Sequence, residues 1–386
     1  MSDHVLATNL LRLRKDRGLT QEQLADAAGL SRAAYRNLEK GRAAPRTDTL
    51  KNLTQALDVP LKELLSPVEI LRNVRFRSLK RLKSRDQVLA EVSRWLRDFA
   101  ELEDLTGERH GHELPPLWRE IKRMRHKRIP EIAARVREHI GLGEREPVHD
   151  ICGLLESQGI KVYSIQVAND AFMGLSVAED NGGTAIIVNT WERLPVETWI
   201  FSAAHELAHL LLHLGAYDVT QEQEDEAQEK EADQFASHFL MPEAVFRREW
   251  DAAAGLPLVD RVLKVKRVFR ASWRTVLYRV AEGLPDDKRY VVWKLFNQAY
   301  REQKGRSLLK HDEPQGINEE VYKDTHGARP VGIEPAGMEP HDFREDRLSL
   351  LVRRAVEQDI ISLSRGAEIL RLPLEQMRAL SANWVA

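Results

Sequence analysis

Apolar positions recur at helical spacing along most of this chain, and the pattern predicts a mainly α protein with one short β-rich interval. At the amino end, Leu10 to Arg17 stops at Gly18, and Thr20-Gln21-Glu22-Gln23 opens a second helix through Ala28 as a capping box. Gly29 then turns the chain, and Ser31 caps a third helix through Lys40. Three short helices joined in this way make a helix-turn-helix. Farther on, Trp199 to Leu214 is apolar around nearly its whole circumference, as a helix buried on every side reads. Gln228 to Leu240 places Ala232, Phe235, Ala236, Phe239 and Leu240 on one stripe, and Pro242 stops it. Between them in kind are Ile160 to Tyr163, Phe172 to Val177 and Thr184 to Val188, with Asn181-Gly182-Gly183 as a turn signal, which predicts a hairpin plus one strand.

The remainder is helical or broken. Leu263 to Gly283 keeps a helical pattern, whereas prolines at 314, 330, 335 and 340 and glycines at 316, 327, 332 and 337 predict a long loop from His311 to Phe343. Leu348 to Ala355 and Ser364 to Leu370 form a last helical module, with Ile361-Ser362-Leu363-Ser364 as the cap between them. No internal repeat stands out, although both ends read as small helical modules.

Inside the buried helix sits His205-Glu206-Leu207-Ala208-His209. Residues four apart share a helix face about 6 Å apart along the axis, so both imidazoles can reach one ion while Glu206 reaches that ion's water. Buried without partners, such polar groups would each cost on the order of 2–7 kcal/mol, which a metal relieves. Catalytic zinc takes three protein ligands and leaves one position open, so a third ligand should come from a second helix. Glu231 borders the apolar stripe of the 228–240 helix and is preferred; Glu229, Asp233 and His238 are the alternatives. His213 lies two turns from His205, about 12 Å along the axis, too far to bind the same ion. It and Tyr217 are candidates for stabilising an oxyanion by proximity alone. The donors suit zinc best, although manganese or iron would accept the same ligands.

Phe201 through His213, then Glu231-Ala232-Asp233-Gln234-Phe235-Ala236 and Leu240-Met241-Pro242, resemble the ImmA/IrrE family of bacterial metallopeptidases. Gly159 to Val162, Gly174-Leu175-Ser176 and Ile186 to Asn189 fall where that family has its small sheet, and the likeness covers roughly 129–250. It implies His205, His209 and Glu231 as metal ligands and Glu206 as the catalytic base. His238 departs from the small or apolar residue usual at its position, which leaves a supporting role open for it. An exposed sheet edge beside the helix would let a peptide dock by strand addition; the plainer alternative is a sheet that only packs the helices.

The first segment resembles the Xre/Cro/C1 repressor family across residues 5–66, through Leu19 to Ala25, Gly29-Leu30-Ser31, Leu38 to Gly41, Pro45 and Leu50 to Leu57. Tyr35 and Leu38 belong to its core by spacing, which leaves Arg32, Ala33, Arg36 and Asn37 toward the major groove. Arg32 and Arg36 are the base-contact candidates, and Gln21 is placed on phosphate. Charge agrees: residues 1–128 carry 27 basic against 18 acidic side chains, and the other 258 carry 31 against 42, a dipole hidden in the overall −2. Arg72, Arg75, Arg77, Lys80, Arg81, Lys83 and Arg85 form a run without an acid, followed by Lys122, Arg123, Arg125, Lys127 and Arg128. Such runs attract phosphate or simply form a wet helix face.

At 386 residues and 42% apolar content the chain can bury two or three cores. No basic-then-apolar leader opens it and no apolar run is long enough to span a bilayer, so a cytoplasmic location is expected. Cys152, the only cysteine, has Val148, Ile151 and Leu155 at helical spacing and reads as core; a thiolate on the zinc is the other reading.

The expected organisation is a five-helix, λ repressor-like helix-turn-helix over 1–66, a basic helical linker over 67–128, and a zincin-like α+β peptidase domain with a small antiparallel sheet over 129–256. A helical extension (257–310), a Pro/Gly-rich loop (311–345) and a helical module (346–386) follow. Together these imply a DNA-binding regulatory zinc peptidase. Resemblance implies double-stranded operator DNA as one partner and, as substrate, a helix-turn-helix repressor or the chain's own 66–128 segment. A homodimer is one arrangement open to it. The competing readings are a regulator that uses the peptidase fold as a sensor or dimerisation module, or a toxin–antitoxin control protein.

Overall fold

The structure is a computed structural model, and it describes residues 2–65, 71, 74–76, 85–108, 114–124, 128–143, 145–178, 182–214, 217, 225–315 and 337–384. It divides into two compact units, one of residues 1–71 with 82–99 and one of residues 72–81 with 100–386.

The first unit opens with five helices: α1 (Ser2–Asp16), α2 (Gln21–Ala27), α3 (Arg32–Glu39), α4 (Thr47–Leu57) and α5 (Leu61–Leu65). Thr20 and Gln23 cap α2 reciprocally, and Ser31 Oγ accepts from Ala34 N at the start of α3, so the boundaries fall where local chemistry sets them. Leu6, Leu10, Leu13, Leu24, Ala25, Tyr35, Leu38, Leu53, Leu57 and Leu64 close one core. Arg14 Nε donates to Glu39 at 2.7 Å, and Asn9 donates to the Leu64 carbonyl at 3.0 Å. The fifth helix is thereby tied to the first.

The second unit holds a four-stranded sheet in the order β1-β3-β4-β2, with β1 at Val74–Phe76, β2 at Lys161–Ile165, β3 at Gly174–Val177 and β4 at Ala185–Asn189. It differs from the expected antiparallel hairpin plus one strand in two ways. β2 runs parallel to β4, because β3 reverses the chain between them and β4 then pairs on both sides. A fourth strand, β1, comes from the stretch read as a helical linker and pairs antiparallel with β3, with Arg75 opposite Ser176. Every residue of β3 and β4 is buried. The Asn189 amide donates to the carbonyls of Val167 and Phe172 at 2.9 and 2.8 Å and accepts from Val167 N, which fixes the loop leading into β3. Of the turn between β3 and β4, Asn181 lies outside the described residues.

α6 (Arg85–Thr106) begins in the first unit and ends in the second, whose further helices are α7 (Leu114–Arg123), α8 (Ile129–His139), α9 (Ile151–Ser157), α10 (Val196–Leu212), α11 (Glu226–Leu240), α12 (Glu243–Ala252), α13 (Leu258–Phe269), α14 (Trp273–Glu282) and α15 (Arg289–Lys304). α10 lies across β3 and β4 and packs on α11, and it is buried almost throughout, as its unbroken apolar surface requires. One apolar core runs from Leu114 through Cys152, Ala204, Phe239 and Phe269 to Phe296 and Phe343, so the helices of 257–310 share the core of 129–256. Cys152 is part of that core, and burial holds its thiol protonated. Lys266, itself buried, joins Glu197 and Glu313 at 2.9 Å each. The chain finishes with α16 (Arg347–Glu357), α17 (Leu363–Leu370), capped by Ser362 as expected, and α18 (Leu374–Ala382). Among the described residues no helix is long and apolar enough to cross a membrane.

Candidate metal centre and DNA-reading helix

α10 holds Glu206 against β3 and turns His205 and His209 toward α11. The two histidine Nε2 atoms lie 2.9 Å apart, and the Glu229 carboxylate lies 3.2 Å from each. These three donor atoms fall within 4.8 Å of one another. Their far sides are occupied. His205 Nδ1 meets Asp233 Oδ1 at 2.8 Å and His209 Nδ1 meets His213 Nδ1 at 2.9 Å, while His213 Nε2 reaches Glu231 Oε2 at 3.0 Å. If each Nδ1–H of the pair donates outward, both Nε2 lone pairs face inward, the tautomer that metal-binding histidines adopt. His213 must then accept at Nδ1 and donate from Nε2 to Glu231. Glu231 therefore fixes a tautomer one link behind His209.

The carboxylate beside the histidine pair is Glu229 and not the expected Glu231. Glu231 is half exposed and sits against His213, whereas Glu229, on the next inward face of α11, meets the histidine pair. The sequence carried the signal: at 100° per residue, Glu229 falls about 50° from the centre of the Ala232–Leu240 stripe and Glu231 about 110°. Burial works to raise the Glu229 carboxyl, and the attraction of His205 and His209 outweighs that and holds it well below the usual range. Burial likewise pushes His209 down to about 3, against the pull of Glu229. An ionised carboxylate beside neutral imidazoles is the protonation state a divalent cation requires. Two nitrogen lone pairs converging on one carboxylate, with nothing apolar between them, fit such an ion.

Glu206 is buried, and its Oε2 accepts from Ser176 Oγ at 2.7 Å. Ser176 also meets Tyr217 Oη at 2.8 Å; its single proton goes to Glu206, so the tyrosine hydroxyl donates to it. Burial raises Tyr217 well above 10 and keeps that donor protonated. Tyr217 thus acts on Glu206 through Ser176, and His213 acts on His209. Asp233, offered as an alternative ligand, instead meets His205 Nδ1, and Ser176 was not foreseen as part of the site. Nor was Arg75, which donates to Gln228 at 2.6 Å and Glu229 at 3.2 Å and so leaves the basic run that sequence offered to phosphate. β1 pairs along β3, so the exposed sheet edge expected for strand addition is not that of β3. Of the other residues in that run, only Arg85 falls among the described ones. His238 pairs with Glu282 at 2.9 Å, away from the donor atoms. A cleft of about 1490 Å³ lined by Trp118, Lys122, His213, Glu231, His238 and Arg279 adjoins these supporting residues, and neither His205, His209 nor Glu206 lines it.

In the first unit, Tyr35 and Leu38 are buried and Arg32, Ala33, Arg36 and Asn37 are exposed on one side of α3. Gln21 is half-buried and donates to Glu39, so its amide joins α2 to α3 and stands apart from that exposed group.

Residues 10–64 match the helix-turn-helix family, and residues 155–281 match peptidase family M78, the IrrE N-terminal-like domain. An HTH-type transcriptional regulator of Sinorhizobium fredii, y4dJ, is 40% identical over 65 residues, 17% of this chain and 84% of that protein. HTH-type regulator YqaE of Bacillus subtilis is 41% identical over 61 residues, 16% of this chain and 53% of its own length. The phage CTXphi transcriptional repressor RstR of Vibrio cholerae is 37% identical over 57 residues, 15% of this chain and 51% of its own. The chain belongs to the Xre-type helix-turn-helix regulators through its first domain. A peptidase-like domain of the ImmA/IrrE type stands in its middle.

Proposed function

We propose that this chain is a regulatory, cytoplasmic metallopeptidase that binds operator DNA through α3 and cleaves a transcriptional repressor, or its own 66–128 segment, at His205, His209 and Glu229. The observation that carries the reading is the convergence of two inward-facing Nε2 atoms and one carboxylate beside a buried, hydrogen-bonded glutamate. Zinc is the favoured ion, and when bound it supplies Lewis acidity to a carbonyl and acidifies water. The chain's own groups do the rest. Glu206 takes the proton of the attacking water and passes it to the leaving amine, and Ser176 holds the carboxylate that does so. Asp233 and the His213–Glu231 pair hold the two imidazoles in register. The 74–76 strand lies next to Ser176 in extended form, which supports the 66–128 segment as one of the two substrates. Arg32 and Arg36 are the base contacts in this reading, with Ala33 and Asn37 beside them.

Zinc-loaded parent and Glu206→Gln protein, incubated with repressors of the same helix-turn-helix class and with operator DNA, test the proposal. Cleavage by the parent alone is expected, at least about a hundredfold faster than by the variant. Equal rates, or no cleavage by a zinc-loaded parent that still binds DNA, would leave a regulator whose peptidase fold serves as a sensor.

A further inference from the structure

The last three helices repeat the reading architecture of the first three. Thr20 caps α2 and Ser362 caps α17, each five residues before a buried alanine, Ala25 and Ala367. Four residues beyond each alanine the backbone turns left-handed, at Gly29 with φ 67° and at Arg371 with φ 56°. The next residue closes both turns in the same way: Leu30 N donates to Ala25 O at 2.8 Å, and Leu372 N donates to Ala367 O at 2.9 Å. Ten residues after the alanine, Tyr35 in α3 and Met377 in α18 fill the core, both fully buried. One constant offset of 342 positions relates all of these pairs. The preceding helices also end at left-handed residues, Gly18 at φ 65° and Asp359 at φ 55°, one position out of that register. Gly366 belongs to the same geometry: a Cβ there would stand 3.0 Å from both Met377 and Val352, so the helices cross as closely as a small residue allows.

The offset carries the exposed face of α3 onto that of α18. Arg36 corresponds to Arg378, and the neighbouring face of α18 consists of the exposed Leu374, Glu375, Gln376 and Ala379. The Arg378 guanidinium has no ion-pair partner among the described residues. The other arginines of the module are engaged: Arg347 with Glu103, Arg354 with Glu108, Arg365 with Glu101, and Arg371 with the Tyr163 hydroxyl and ring. These contacts fix the module to its own unit and leave α18 outward.

We propose that α16, α17 and α18 are a second helix-turn-helix that reads double-stranded DNA, with Arg378 as its base contact. An arginine forks onto guanine in the major groove, so Arg378 gives the module its own sequence preference. The chain then carries two reading heads of different specificity.

Full-length parent is used to select duplexes from a random double-stranded library, and the enriched duplex is footprinted with hydroxyl radicals. Arg378→Ala should remove protection from one part of the site, weaken binding about 10- to 100-fold, and spare the part lost by Arg32→Ala with Arg36→Ala. Arg378 is exposed, so an unchanged melting temperature confirms folding, and Arg378→Lys should keep non-specific binding while losing the selected sequence. An unchanged footprint and affinity in the Arg378→Ala variant would overturn the proposal. So would an unchanged footprint with altered self-association, which would make α18 a protein-docking surface.

Discussion

Replacing Glu229 and Glu231 separately by glutamine asks which carboxylate completes the metal centre, and the structure sets the scale of the answer. Three donor atoms within 4.8 Å of one another leave any point shared between them less than 4 Å from the Glu229 carboxylate. At an effective dielectric near 20, one unit charge at about 4 Å is worth ~4 kcal/mol, so Glu229→Gln should weaken zinc binding by roughly three orders of magnitude. Glu231 acts only through His213 and then His209. Loss of a group hydrogen-bonded directly to a ligand typically costs 10- to 100-fold, and Glu231 stands one link farther out, so about tenfold is the expected ceiling. Competition of each apo protein with a chromophoric chelator, backed by metal analysis after dialysis, measures both. The reasoning is refuted if Glu231→Gln loses zinc and Glu229→Gln retains it, because the ligand would then be the residue that packs against His213.

Three further outcomes follow from named contacts. Ser176→Ala removes the donor that orients Glu206 without touching a ligand, so kcat should fall about tenfold with zinc content unchanged; a fall in zinc content would show that Ser176 supports the ligands instead. Lys266→Met strands Glu197 and Glu313 in the core and should cost about 3–5 kcal/mol, read as a lower Tm by scanning fluorimetry, with a neutral result removing the buried pair from the stability account. Burial pushes Glu156 up to about 7 although the Arg347 and Asp346 amides donate to it. Between pH 4.5 and 7 the folded state then keeps a proton that the unfolded state has lost, so stability falls as pH rises through that window. In Glu156→Gln that loss should shrink by up to about 3 kcal/mol between pH 4.5 and 7.5 in denaturant titrations, and an unchanged pH slope would refute the assignment.

The sequence was legible where local chemistry decides structure. Thr20, Ser31 and Ser362 cap the helices they were expected to cap, and the buried α10 follows from an apolar circumference that no solvent-facing helix has. His205, Glu206 and His209 needed only helical periodicity to be placed together. Legibility failed where partners come from far along the chain. Arg75 belongs to a run of like charges, and no local rule separates it from its neighbours; pairing of β1 with β3 buries it and delivers it to Glu229, 154 residues away. The parallel pairing of β2 with β4 is hidden for the same reason, since an alternating or apolar strand is compatible with a neighbour in either direction. Glu231 was preferred because it borders the apolar stripe in sequence, when position around the helix favours Glu229.

The repeat of the helix-turn-helix was invisible for a different reason, and the difference bears on how the two modules diverged in use. The left-handed turn that glycine fills at 29 is filled by arginine at 371, a conformation that costs an L-residue about 1 kcal/mol and is offset by what the side chain gains from Tyr163. The cap before the reading helix changes from Ser31 to Pro373, which supplies a fixed φ instead of a side-chain acceptor. Ala25 and Ala367, Leu30 and Leu372, and Arg36 and Arg378 are kept, and they are the close-packing alanine, the turn-closing leucine and the exposed arginine. A pattern search keyed to turn glycines and capping serines misses the second copy. The backbone angles and the closing bond from Leu372 N to Ala367 O do not, because the geometry admits more than one residue at the positions where sequence signals are strongest and few at those where packing is tightest.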